Sequence, residues 1–130
     1  MNPKTQEWID KAEGDWATMR RENRVRKQPN YDAVCFHAQQ CAEKYFKARL
    51  FDAAIAFGKI HDLEKLLNDL LPIEPNWISL RNEAIILTSF AVEFRHPGMK
   101  AVKSDSKKAV KNCRLIRKTV RQAFNLSTTD

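Results

Sequence analysis

Glycine is scarce in this sequence, three residues in 130, and proline occurs five times. So few chain breakers exclude an all-β sandwich, which needs a turn after every short strand. Cysteine is limited to Cys35, Cys41 and Cys113, an odd set without CxxC spacing, so no disulfide framework is expected. No apolar run approaches the ~20 residues of a membrane span. The densest stretch, Ala84 to Val92, is interrupted by Thr88 and Ser89. GxxxxGK[ST], GxGxxG and GxSxG are all absent, which removes the common phosphate loops and the serine nucleophile elbow. The chain starts MNPKTQEW with no apolar segment behind a basic start, and the expectation is a cytoplasmic protein with reduced thiols and no membrane association.

What the sequence does have is apolar content and charge. Hydrophobic residues make up 43% of it, too many for disorder, and its length suits one domain spanning residues 1–130. The formal net charge is +7, from 23 basic and 16 acidic residues. Up to Met99 the two signs balance; beyond it nine basic residues face two acidic ones. Lys107, Lys111, Arg114, Lys118 and Arg121 step by four and three, which is one face of a helix. Ala109, Cys113, Ile116, Val120 and Phe124 step the same way on another face, so the helix buries one stripe and presents the other. Two readings of the basic stripe stand: a solvated face, or contact with phosphates or an acidic partner.

Hydrophobic periodicity predicts helices throughout. Asn2 before Pro3 is an N-cap signal, and Trp8, Ala12, Trp16 and Met19 follow at helical spacing to about Arg24. RVRKQPN, residues 24–30, is a basic connection, and Asn30 can cap the next helix. From Tyr31 to about Phe51 the apolar positions cover roughly 200° of the helix, more than a surface helix needs, so this helix is expected to be central. After a loop, His61 or Asp62 caps a short helix whose Leu63, Leu66, Leu67 and Leu70 face inward, and Pro72 and Pro75 close it. A fourth helix is predicted over Trp77 to Phe94, apolar on several sides and stopped by Pro97 and Gly98. A fifth starts near Asp105. The expectation is an all-α antiparallel bundle of four long helices and one short one.

Candidate chemistry is sparse. His37 and Cys41 lie four apart, but no second pair of metal-ligand spacing appears, so no metal is expected. His37, Gln40, Lys44 and Lys47 step by three and four on the second helix, and their imidazole, amide and ammonium groups suit an anion such as phosphate. The alternative is a solvated edge in which Glu43 and Lys47 pair.

FHAQQCAEKYFKARL (residues 36–50), KIHDLEKLL (59–67) and FRHPG (94–98) together resemble the HEPN domain family. EWIDKAEGDWATM resembles its opening helix, and the likeness covers nearly the whole chain. The resemblance implies a bundle of about five helices, a symmetric homodimer, and proteins encoded beside a small nucleotidyltransferase, as in toxin–antitoxin systems. It also implies a nucleotide-binding role, for which the His37, Gln40, Lys44 and Lys47 arc supplies the candidate contacts and His61, Arg95 and His96 are further candidates; no cofactor is expected. Many family members are ribonuclease toxins whose active pair resembles an Arg, four to six residues, and a His, set at a dimer cleft. No Arg precedes His37, His61 or His96 at that spacing. Arg95 and His96 are adjacent, and His96 stands where a related branch has an aromatic residue between Arg and Pro. The leading expectation is therefore a non-catalytic module that binds a nucleotide or similar anion beside a nucleotidyltransferase. A ribonuclease using Arg95 and His96 is the alternative, and nucleic-acid binding through the basic fifth helix is a third.

Overall fold

The computed structural model describes residues 1–130 and contains helices only. Helix α1 spans Pro3–Asn23 and α2 spans Tyr31–Asp52, with Asn2 and Asn30 as side-chain N-caps that accept from Lys4 and Ala33 amides. Helix α3, Leu63–Leu70, is capped by the Asp62 carboxylate. Helix α4 spans Arg81–Glu93 and α5 spans Lys103–Ala123.

Two boundaries differ from the sequence expectation. The segment Pro75–Leu80 winds as a 3-10 helix before α4 begins. Side chains three apart eclipse in that tighter winding, which sends Trp77 and Leu80 together into the core, Trp77 stacking on Phe46 at 6.3 Å. At the start of α5 the Asp105 carboxylate accepts from the Val102 amide, so the helix begins two residues earlier than the sequence suggested.

Side-chain pairs give the topology. As α1 numbers rise, their α2 partners fall: Thr5 meets Asp52, Glu13 meets Tyr45, Asp15 meets Lys44 and His37. These helices are antiparallel neighbours. Helix α5 runs parallel to α2, with Asp32 accepting from the Ala101 amide at one end and Tyr45 bonded to Arg121 at the other. Helix α2 packs against all four other helices, and its Val34, Cys35, Ala38, Cys41, Ala42, Tyr45, Phe46, Ala48 and Leu50 are fully buried. Its wide apolar arc is thus satisfied inside one chain.

Helix α4 departs from expectation. Within it only Ala84 and Leu87 are buried, and Ile85 and Val92 are 41% and 57% exposed. Helical geometry explains the split: Ile85 and Val92 are seven apart, two turns, and share an outer face turned about 120° from the Ala84 and Leu87 stripe that reaches the core.

Candidate functional site

The anion-binding arc predicted on α2 divides into two clusters. In the first, Asp15 of α1, itself buried, receives both His37 Nδ1 (2.9 Å) and the Lys44 ammonium. In the second, Glu43 accepts from Lys47 Nζ at 3.0 Å and from Gln39 Nε2 at 3.0 Å, while His61 Nδ1 lies 3.2 Å from both its oxygens. Gln39 also donates to the His61 carbonyl, and Gln40 donates to Gln39. Glu43 and Lys47 do pair, as one sequence reading had it, but the edge they form is not solvated. The Lys47 side chain is 6% exposed, with its ammonium 5.9 Å from the Trp8 ring and 5.6 Å from Phe57. Lys47 therefore does not share an open surface with His37 and Lys44, and a ligand touching all four arc residues has no place to sit.

A cleft of about 290 Å³ does bring two predicted residues together. It opens between the first turns of α2 and the end of α4, and His37, Arg95, Phe36, Phe90 and Phe94 line it together with Asp32, whose carboxylate accepts from the Ala101 amide. Phe90 and Phe94 lie ring to ring at 5.5 Å. Because Nδ1 of His37 faces Asp15, Nε2 is the atom left for a ligand. His96 sits one residue beyond Arg95 in the turn, where its carbonyl accepts from Met99, and does not line the cleft. Gly98 makes that turn with a φ of 89°, a conformation that L side chains resist. His61 is at the α3 end of α2, tied to Glu43.

The basic stripe on α5 also divides. Lys107, Lys111 and Lys118 are exposed and form no ion pair. Arg114 pairs with Asp130 at 3.2 Å and lies over the Trp16 ring. Arg121 donates to Tyr45, to the Ser127 carbonyl and toward Glu13. These contacts fold the C-terminal residues back onto the helix.

The chain's strongest polar network was not anticipated. Arg117 is 3% exposed and grips Glu13 with two hydrogen bonds of 2.8 Å, its guanidinium 4.7 Å from the Trp16 ring centre. Tyr45 donates to the same carboxylate. Burial alone would raise the Glu13 pKa, but hydrogen bonds from Arg117 and Tyr45 and the charges of Arg117 and Arg121 outweigh it, and the carboxyl sits below its ordinary range. The sequence carried a signal for both overlooked groups. Arg117 falls four after Cys113 and three before Val120, on the apolar stripe, and Asp15 falls three after Ala12.

The three thiols are buried and unpaired. Burial, with Asp105 and Asp32 nearby, pushes Cys35 up to about 12, and burial beside Cys113 holds Cys41 well above its usual value, so neither suits a nucleophile. No three His, Cys, Asp or Glu side chains converge closely enough to hold a metal ion, and no helix is long and apolar enough to cross a membrane.

A single all-α bundle with a cleft between its second and fourth helices is what the geometry defines. The HEPN domain profile matches residues 5–123, all but the extreme ends, and the chain belongs to the HEPN domain family. No curated protein and no solved structure gives a significant match to this chain.

Proposed function

We propose that this HEPN-domain protein binds a nucleotide or nucleotide-like anion in the α2–α4 cleft, without catalysis of its own, and serves in the cytoplasm beside a small nucleotidyltransferase in a toxin–antitoxin pair. The observation that carries this reading is the cleft itself. Its lining offers a guanidinium that can meet a phosphate, an imidazole, and aromatic rings that suit a base. The reading without catalysis rests on the chain's own residues. Arg95 and His96 are adjacent where ribonuclease members of the family space them, and His96 lies outside the cleft that Arg95 lines.

Thermal unfolding with ATP or GTP tests the reading. A ligand at about 100 times its Kd stabilises by about 2.7 kcal/mol and raises the midpoint by several degrees. Arg95→Ala is expected to abolish that rise while leaving the unliganded midpoint in place, because Arg95 is exposed. A ligand response untouched by Arg95→Ala counts against the cleft; RNA cleavage that His96→Ala abolishes counts against the absence of catalysis.

The proposed assembly is a homodimer through the outer face of α4. Ile85 and Val92 are large apolar side chains left exposed there, and Ile78 is exposed in the 3-10 segment that leads into the helix. Changing Ile85 and Val92 together to Asp is expected to convert a dimer to a monomer in sedimentation, with each exposed change costing the isolated fold no more than about 0.5 kcal/mol. A wild-type chain that sediments as a monomer at micromolar concentration rejects this assembly.

A further inference from the structure

We propose a second anion site, separate from the α2–α4 cleft: a groove between the α1–α2 connection and the first turns of α5 that binds the phosphate backbone of a single-stranded nucleic acid. The groove holds about 570 Å³ and is lined by Arg24, Arg26, Lys103 and Lys107, with Ser106 and Tyr31 beside them. No carboxylate lines it, and none of the four cations takes part in an ion pair within the chain. Of the eight arginines elsewhere on this molecule five, Arg49, Arg81, Arg114, Arg117 and Arg121, each meet a carboxylate. Four like charges converging without a counter-charge repel one another in the free protein, and an external anion offsets that repulsion.

The charge does not stop at the groove. Lys107 also borders the next depression along α5, where Lys108 and Lys111 follow, with Glu83 as the one carboxylate at its edge. From Lys103 to Lys111 the helix rises about 12 Å, which suits a chain of successive phosphates better than one phosphate group. Past this point the stripe is occupied by the chain itself, since Arg114 holds Asp130. An acidic protein is a poorer occupant. Protein interfaces need an apolar centre, and Val25 is the only aliphatic side chain in the groove apart from Pro29. A concave groove between a loop and a helix end favours a single strand over a stiff duplex, and the Tyr31 ring beside it suits a stacked base.

Fluorescence anisotropy of a labelled dodecamer of oligouridylate, titrated with the full-length protein over a salt series, tests the proposal. Six phosphate contacts predict log K falling by about 4 per decade of salt, at about 0.7 per phosphate for a single strand. The Arg24→Ala, Arg26→Ala double variant is expected to flatten that slope by about 1.4 and weaken binding about 25-fold near 0.1 M salt. Both arginines are exposed and make no side-chain hydrogen bond, so an unchanged melting midpoint verifies the fold. Lys118→Ala, outside the track, should leave binding as it was. Absence of binding, or a slope the double variant does not alter, overturns the proposal. So does polyglutamate binding with the same sensitivity, which would mark a protein-docking surface, or inorganic triphosphate displacing the oligonucleotide at equimolar concentration, which would mark a site for small polyphosphates.

Discussion

Glu13→Ala is expected to lower the stability of the fold by about 3 kcal/mol and its melting midpoint by roughly 10 °C. Removing this carboxylate leaves Arg117 charged, 3% exposed and stripped of both its ion-pair hydrogen bonds, while the Tyr45 hydroxyl loses its acceptor. A stranded buried charge costs about 3–5 kcal/mol, and the Trp16 ring that stays beside the guanidinium places the cost near the lower end. Arg117→Met, which removes the charge and keeps the volume, should cost much less. Calorimetric melting of the two variants decides the matter, and equal losses would mean the network contributes only packing.

The same carboxylate sets an acid limit. Its folded pKa lies below the ordinary 4.5, so its contribution is fully present above about pH 4.5 and is lost as pH falls through the folded value. The midpoint of the wild type should therefore drop on acidification below that point, and Glu13→Gln should drop less steeply.

Glu43→Ala is the second large effect, expected at about 3–5 kcal/mol, because it leaves the Lys47 ammonium enclosed between Trp8 and Phe57 without its carboxylate. Gln39 loses one of its acceptors and His61 loses its contact with both carboxylate oxygens. The double change to Glu43→Leu with Lys47→Met keeps apolar volume and removes both charges, so it should fall close to wild type or above it. This pairing also separates structure from binding. If Lys47 served a ligand, the double variant would melt normally yet lose its nucleotide response; the geometry predicts that the response survives, since Lys47 is remote from the cleft that joins His37 and Arg95.

The central place of α2 was legible because a helix with a 200° apolar arc has few ways to hide it, and the α3 leucines were legible from their spacing and the Asp62 cap. The 3-10 winding of Pro75–Leu80 was not, since proline at a first helical position opens an α-helix equally well and the choice falls to the stacking of Trp77 on Phe46. Within the candidate site the sequence displayed the arc of His37, Gln40, Lys44 and Lys47 but not its division. That division comes from Asp15, Trp8 and Phe57, which other segments bring to different turns of α2. Charge on α5 misleads in the same way. Periodicity makes five basic residues equivalent, whereas Glu13, more than a hundred positions upstream of Arg121, and Asp130 at the chain's end give two of them carboxylate partners. The His37–Arg95 cleft joins residues whose spacing in the chain carries no periodic signal at all.

The lateness of α5 in the chain has a consequence for synthesis. One side of α2, where Tyr45 and the buried thiols Cys35 and Cys41 lie, packs against a helix that begins only at Lys103. While the chain is being translated, the α1–α2 hairpin can form early from local contacts, yet its inner surface stays uncovered until the last fifth of the protein has cleared the ribosome. Glu13 likewise waits for Arg117. The nascent chain therefore has to carry an adhesive helix face for most of its elongation, and truncation anywhere before α5 should yield an aggregating product rather than a smaller folded one.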